Sequence, residues 1–306
     1  MTGGWRVRVR GALARYERMG LVRRGMAAVL VMLALVTSAC TPPPLGKSAI
    51  AVSRALARTE RAGSAAVSID LLMASSRLGP LAGTARGVVN FADRTGRMEL
   101  YGFGLPERSA TEVVFTSSAI YMKLPTAARL KGQGNEPWLG LLLSDLNAVS
   151  TAQAGFVFQA ESVNALYLLD AVSLGATGFE RSPSSGRTAP YVGSVDLATA
   201  QRYSNGLDAM VLSQQTAFTG ISVAPVDVWL DHAGRIRRLR LVLDPTQAPS
   251  GSRLGGKVTI TVSLSRFGVA APVAAPVAGQ VANLDVILEN LSGGEMGEPP
   301  GETPGQ

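Results

Sequence analysis

The sequence predicts an α+β fold built around one large antiparallel sheet. Two observations carry this prediction. Short runs of alternating apolar and polar residues follow one another from Ser64 to Leu124, and again from Val226 to Ser265. Segments with apolar residues at helical spacing precede the first series and separate it from the second. Period-two alternation is typical of strands with one buried face, and tight connections between such strands favour an antiparallel meander.

The N-terminal half supplies a helix and five strands. Lys47 to Arg61 places apolar residues among charges at the spacing of an amphipathic helix, and Gly63 follows as its stop signal. The first strand begins at Ser64, and the next four are predicted at 86–92, 97–103, 111–116 and 119–124. The turn Asp93–Gly96 joins the second predicted strand to the third. These five strands are predicted to form a meander.

A helical insert and a second sheet segment follow. Trp138 to Leu146 carries six large apolar residues in nine positions and is interpreted as a helix, as is Ser162 to Leu174. Strands are predicted at 177–181 and 189–195, and a polar helix at 197–215. The last three strands are predicted at 226–230, 235–243 and 257–265. No internal repeat is evident.

An export signal occupies residues 1–39. Arg23 and Arg24 precede the unbroken apolar run Ala27 to Val36, and small residues lead into Cys40, the only cysteine. The run is shorter than the roughly 20 residues that span a bilayer. The alternative is a membrane anchor helix with an incidental thiol. Met19 is an alternative start that would leave a signal of ordinary length.

The end of this signal resembles the bacterial lipobox, where cleavage precedes a cysteine whose sulfur becomes acylated. Cys40 is therefore predicted to be a lipid anchor on the outer face of the cell membrane. Residues 40–46 would be a lipidated, proline-rich tether, 47–291 a single lipid-binding domain, and 292–306 a disordered acidic tail.

Charge argues against nucleic-acid binding once the signal is removed. Residues 1–39 hold seven of the 29 basic residues and one of the 22 acidic residues, so the mature chain has 22 basic and 21 acidic residues. A net charge of +1 offers no clustered excess of Lys and Arg, on which nucleic-acid affinity depends. The high overall pI is a property of the export signal.

Catalytic and metal-binding patterns are missing from the sequence. The single histidine, His232, lies in a polar hairpin turn, and no G-x-S-x-G elbow accompanies it. One histidine and one lipidated cysteine cannot assemble a zinc site of N/S type. No phosphate-binding glycine loop precedes a helix. Because all these patterns are missing, we expect no enzymatic activity, no bound metal and no cofactor. The basic run Arg235 to Arg240 is either a solvated strand face or a patch for anionic lipid headgroups.

The informative feature is a large supply of apolar side chains on one face of the sheet. A closed core would use them, and so would a sheet curved around a cavity and covered by helices; periodicity does not separate the two. The candidate lining residues are Val67, Ile69, Leu71, Met73, Val89, Phe91, Met98, Leu100, Val113, Phe115, Trp138, Leu142, Val226, Val228 and Ile260, with Val258 and Val262 on the same face. Leu142 would share a helix face with Trp138 if that segment is helical.

Four stretches resemble the actinobacterial lipoprotein family of LppX, LprA, LprF and LprG, whose fold is related to LolA and LolB. They are Ala119–Pro125, Pro190–Asp196, the hairpin Val228–Leu239 with its W-L-D-x-x-G-R-I pattern, and Phe267-Gly268 followed by Pro272 and Pro276. The resemblance spans about residues 47 to 290. The long N-terminal extension and the Ala/Pro-rich segment after Gly268 depart from it.

The resemblance implies a strongly curved antiparallel half-barrel with helices on its concave side, enclosing an apolar cavity. It implies a carrier that binds a lipid or acylated glycolipid and moves it across the cell envelope, with a membrane transporter as a further partner. From the residues alone, a structural or sensory envelope lipoprotein with a closed core and a protein partner stays the alternative. An envelope hydrolase is disfavoured by the missing catalytic groups.

Replacing Cys40 with Ser should abolish acylation, because its sulfur is the predicted attachment point of the lipid. Metabolic labelling with an alkyne fatty acid checks this: label should be present on the wild-type chain and absent from Cys40→Ser. Undiminished labelling of the variant would contradict the lipoprotein assignment.

Overall fold

In the described residues, twelve strands form one sheet; one helix precedes the first strand and three lie in connections between strands. The helices are α1 Lys47–Glu60, α2 Ala165–Gly175, α3 Leu197–Tyr203 and α4 Gly206–Thr219. Short 3-10 turns lie at Pro245–Gln247 and Ala278–Gln280. The strands are β1 Ser64–Ser75, β2 Gly79–Asn90, β3 Thr95–Gly102, β4 Thr111–Phe115, β5 Ala119–Lys123, β6 Trp138–Leu142, β7 Ala176–Arg181, β8 Tyr191–Asp196, β9 Val223–Leu230, β10 Ile236–Leu243, β11 Gly256–Ser265 and β12 Val281–Asn283.

The computed structural model describes residues 47–75, 79–102, 110–123, 135–142, 160–183, 189–204, 206–248, 251–252, 254–284 and 287. The predicted export signal, Cys40, the tether and the acidic tail lie outside the described residues. None of the helices in the described segments is both long and apolar enough to cross a membrane.

Two antiparallel meanders meet at β1. The strand order is β12-β6-β5-β4-β3-β2-β1-β11-β10-β9-β8-β7, so β1 to β6 extend to one side and β11 to β7 to the other. All neighbours are antiparallel except β12 and β6, which are parallel. The predicted α+β class with one large antiparallel sheet is therefore confirmed.

One face of this sheet is buried under the helices. Side chains at alternate strand positions join residues of α1 and α2 in a single apolar cluster. We call this side of the sheet the inner face. The eight residues of α2 that are buried lie all around the helix, as expected for a helix enclosed by protein on every side.

The insert is where the prediction fails. Trp138 to Leu142 is strand β6, hydrogen-bonded to β5, and not a helix; Leu143 to Leu146 lie outside the described residues. Leu139 and Leu141 are buried in the core and Leu142 is 46% exposed, while Trp138 and Gly140 are buried on the side opposite to Leu139 and Leu141. Gly140 lowers helix propensity at the centre of the segment, and the unpaired edge of β5 provides a ladder that favours the extended form.

Smaller differences have local causes. Asn90 accepts hydrogen bonds from the backbone N–H groups of Ala92 and Asp93, so the turn after β2 begins two residues earlier than predicted. The helix predicted at 197–215 is two helices, because Ser204 caps α3 through a hydrogen bond from its hydroxyl to the Ala200 carbonyl at 2.8 Å. The short strand β12 was not predicted; among the described strands, its three residues pair only with β6.

Helix α1 is fastened to the sheet by one buried hydroxyl. Thr59 is fully buried; its Oγ1 donates to the Ala55 carbonyl and accepts from the backbone N–H of Ile236, both at 2.8 Å. That N–H belongs to β10, so the hydroxyl joins the first helix to a strand 177 residues away.

Replacing Thr59 with Val should lower the free energy of unfolding by about 1–3 kcal/mol, because the buried Ile236 N–H loses its acceptor while shape is nearly kept. Thr59→Ser keeps the hydroxyl and should recover most of this loss. Urea denaturation of both variants checks the difference, and an equal loss in Thr59→Ser would show that methyl packing matters instead.

Candidate functional site

The candidate site is the inner face of the sheet. Register aligns its side chains in rows that cross strands. One row runs Leu139, Met122, Val113, Met98, Gly87 and Val67 from β6 to β1. A second runs Ile69, Val262, Leu239, Val228 and Tyr191 from β1 to β8. The apolar face is therefore continuous over most of the sheet.

Most predicted lining residues occupy this face. Met73 is only partly buried but packs against the cluster. Twelve others are buried members of the cluster: Val67, Ile69, Leu71, Val89, Phe91, Met98, Leu100, Val113, Phe115, Val226, Val228 and Ile260. Whether any of them contacts a ligand stays a prediction.

Trp138 and Leu142 do not share this placement. In a strand they lie on the same face as Gly140, opposite to Leu139 and Leu141, and neither belongs to the buried cluster. Lys123 lies over the Trp138 ring, 5.6 Å from its centroid. The expectation that the two residues share a helix face is wrong, because the segment is extended.

Sequence reasoning missed four inner-face residues near this edge: Ile120 and Met122 on β5, and Leu139 and Leu141 on β6. All four are at most 3% exposed and belong to the cluster. Alternation in the predicted strand at 119–124 would have identified the first two. The β6 pair was hidden by the helical interpretation.

A polar cluster fastens the helices near the β2–β3 turn. Arg94, at φ 53°, pairs closely with Asp170 of α2, and its Nη2 lies 3.6 Å from Asp208 of α4. Burial would lower the pKa of Arg94, but its hydrogen bond and charge interaction with Asp170 outweigh burial and raise it. No sequence motif marks this cluster, whose members lie far apart along the chain.

Glu161, just before α2, is the most deeply buried acid of this region. It is 3% exposed, and its Oε2 accepts a hydrogen bond from the Asn164 amide at 2.8 Å. Asn164 also caps α2, accepting from the backbone N–H groups of Leu166 and Tyr167. Burial raises the pKa of Glu161 to about 8, so this carboxyl is protonated at neutral pH.

A second buried polar contact lies between two of the covering helices. The Tyr167 hydroxyl donates to Gln215 Oε1 at 2.9 Å, which joins α2 to α4. Burial raises the pKa of this phenol well above its usual value, so the contact is a neutral hydrogen bond. Helices that cover an apolar face are thus held to each other by a polar group.

The enclosed cavity that the family resemblance implies is not shown by the described residues. The described residues line several open pockets, three of which follow. One of about 730 Å³ is lined by α3, α4 and the segment 251–252. One of about 460 Å³ lies at the β9–β10 turn, and one of similar volume lies across β1, β2 and β3.

The groups considered for other chemistry are placed as follows. His232 is exposed in its turn, and the described part of the chain contains no cluster of three or more His, Cys, Asp or Glu suited to a metal ion. Each arginine of the predicted basic run has a partner. Arg235 pairs with Asp231, Arg237 donates to the Leu264 carbonyl, Arg238 lies over Trp229, and Arg240 lies 3.7 Å from Asp227.

Comparison with known proteins finds structural neighbours only. No family model matches the chain, and no curated protein matches its sequence. The Mycobacterium tuberculosis lipoprotein LppX aligns at 14% identity and a TM-score of 0.39, covering 74% of this chain and 99% of its own. A putative outer membrane lipoprotein-sorting protein domain from Vibrio parahaemolyticus aligns at 9% identity and 0.35, covering 80% and 97%. A LolA-superfamily protein from Nitrosomonas europaea aligns at 10% identity and 0.31, covering 74% and 96%.

These neighbours include the two kinds of protein that the sequence resemblance names. The fold assignment rests on the strands and helices of the chain itself. What the chain binds has to be argued from its own residues.

Glu161 should make the protein less stable as pH rises. Its folded pKa of about 8 exceeds the usual 4.5, so the folded state holds a proton that the unfolded state releases between these values. Stability should therefore fall as pH rises from about 4.5 through about 8. Glu161→Gln should remove this pH dependence. Relative to the wild type, the free energy of unfolding of the variant should therefore increase as the pH rises towards 9.

Urea denaturation at a series of pH values from 5 to 9 checks this, with Glu180→Gln, an exposed acid on β7, as the control. The control curve should run parallel to the wild type. A Glu161→Gln curve that also runs parallel would show that the buried carboxyl does not titrate in this range.

Proposed function

We propose that this protein is an envelope lipoprotein that binds a lipid or acylated glycolipid on the inner face of its sheet and carries it across the cell envelope. One observation carries the proposal. The inner face is apolar without interruption along rows that cross β6 to β1 and β1 to β9.

Such a face suits an acyl chain. Each methylene moved from water to an apolar surface contributes about 0.8 kcal/mol, so a long chain is retained without any polar contact. Met98 and Met122 lie on either side of Val113 in one row, and unbranched thioether side chains adapt to ligands of varied shape. Selectivity would then come from the shape of the site and from polar groups at its mouth.

The helices packed on the inner face are held in a way that would allow them to move aside for a ligand. The helices are fastened at polar points, through Arg94 with Asp170 and Asp208 and through Tyr167 with Gln215. These polar contacts would hold a helix in place. The apolar contacts beneath the helix could then be replaced by contacts with a ligand. The carrier would pass its lipid to a membrane transporter or receive it from one.

Attachment to the membrane would come from Cys40. Acylation of its sulfur and of the new amino terminus would supply two or more chains, which hold a protein stably where one does not. The placement on the outer face of the cell membrane follows from the export signal. Binding and release of a lipid require no bond to be made or broken, so we propose no enzymatic activity.

A second candidate is an envelope lipoprotein with a closed core that binds a protein partner. The observation in its favour is the burial of the inner face: the predicted lining residues on it, apart from Met73, are at most 8% exposed and pack with one another and with α1 and α2. In this alternative the inner face is a folding core only.

Adjacent residues on β6 distinguish the two. Leu141 is buried on the inner face, and Leu142 is exposed on the other. If the inner face holds a ligand, Leu141→Trp should reduce the lipid recovered with the protein, while the melting temperature of the delipidated protein changes little. Leu142→Trp should leave both unchanged. Mass spectrometry of solvent extracts and thermal melts measure the two quantities.

In a closed core, Leu141→Trp overpacks the interior and should cost about 1–3 kcal/mol whether or not lipid is present. Recovery of no lipid with the wild-type protein, together with that loss of stability, would favour the closed core and refute the carrier proposal.

A further inference from the structure

A polar pocket lies where the first helix meets the β9–β10 hairpin. It has a volume of about 460 Å³ and is open to solvent. We call it the hairpin pocket. Its lining comes from the last turn of α1, both ends of the β7–β8 connection and the turn after β9: Arg58, Arg181, Ala189, Tyr191, Leu230, Asp231, His232, Ala233 and Gly234.

Two arginines in this lining have no carboxylate partner in the described part of the chain. Among the described residues, neither Arg58 nor Arg181 forms an ion pair or a side-chain hydrogen bond, and both are exposed. They come from different elements, helix α1 and strand β7, yet line one pocket. Two like charges brought together without a counter-charge are unfavourable unless an anion joins them.

The one acid in the lining does not neutralise them. Asp231 Oδ1 accepts from the backbone N–H groups of Ala233 and Arg235, and its Oδ2 accepts from Arg235 Nε at 2.8 Å. Burial would raise the pKa of Asp231, but the hydrogen bonds from Arg235 outweigh burial and lower it. Asp231 is therefore an ionised group already paired with an arginine outside the pocket lining.

The turn itself makes room for one guanidinium. A Cβ atom at Gly234 would lie 2.3 Å from Arg58 Nη1, closer than any real contact. Gly234 also has φ +73°, a conformation that residues with side chains rarely adopt. Glycine at this position thus allows both the turn and the approach of Arg58 to it.

We propose that the hairpin pocket binds an anion that carries a phosphate group. Guanidinium groups present planar pairs of N–H donors that match phosphate oxygens, and two of them face one space here. Tyr191 and His232 line the same pocket, and both side chains carry groups that can donate hydrogen bonds. The volume exceeds that of phosphate alone, so a phosphate bearing a sugar or glycerol fits. This chemistry is shared by soluble sugar phosphates and by phospholipid headgroups, and the inference does not depend on lipid carriage.

The single histidine provides a direct assay. Because the chain contains one histidine, the imidazole C–H signals in an NMR spectrum of the full chain report on this pocket alone. Inorganic phosphate, added at constant pH and at ionic strength fixed with chloride, should shift these signals with a saturable curve. Arg58→Gln and Arg181→Gln should each raise the phosphate concentration at the midpoint about tenfold. This is the loss of affinity expected for one charge-assisted hydrogen bond.

Arg54→Gln is the matched control, since Arg54 is an exposed arginine one turn earlier on α1 and outside the pocket lining. It should leave the midpoint unchanged, and Arg58→Lys should recover part of the loss. No saturable shift, or equal weakening by Arg54→Gln, would overturn the proposal. Thermal melts confirm that the exposed substitutions leave the fold intact.

Vesicles distinguish the two sources of phosphate. We would compare sedimentation of the wild type and Arg58→Gln with phosphatidylcholine vesicles, with and without phosphatidylinositol. A difference between the two proteins that is confined to phosphatidylinositol vesicles supports a lipid headgroup. Phosphate binding in solution without such a difference supports a soluble phosphate ester.

Discussion

The pairing of β1 with β11 is the constraint on which the rest of the sheet depends. Ten residue pairs, from Ala66 with Ser265 to Ser75 with Gly256, join the first strand of the domain to a strand almost 200 residues later. This ladder places Ile69 beside Val262, so the apolar rows of the two meanders continue into each other. A slip of one residue would turn one half of the apolar face to solvent. The continuity of the inner face is thus a property of this register.

An apolar face cannot by itself decide where a helix rests on it, since apolar contacts have little direction. Here the positions are fixed by polar groups: Thr59 at the end of α1, and Arg94 with the acids of α2 and α4. Such groups contribute more to the choice of one arrangement than to stability, because desolvation offsets much of their attraction. Burial also keeps Glu161 protonated at neutral pH, which limits the negative charge gathered around a single arginine.

The domain has two surfaces of different chemistry, and α1 contributes to both. Its buried residues, Val52 and Ala55 among them, pack in the apolar cluster, while Arg58 at its end lines the hairpin pocket. One wall of the hairpin pocket therefore belongs to a helix that is packed in the core, although Arg58 itself is exposed to solvent. The four arginines from Arg235 to Arg240 show the contrast, because each has an acid, a carbonyl or an aromatic ring as its partner.

The sequence by itself determined the fold class, ten of the strands and many of the residues that face inward, because alternation along a strand is a local property that survives without knowledge of neighbours. It also indicated helix α1 and the hairpin at Asp231 to Gly234. Only the tertiary structure decided the form of Trp138 to Leu142, whose apolar run fits either a helix or a strand until the edge of β5 is available. The Arg94 cluster, the Thr59 bond and the placement of Arg58 and Arg181 in one pocket lining likewise needed the fold. Each unites residues far apart in the chain, and no local pattern encodes which distant side chains become neighbours.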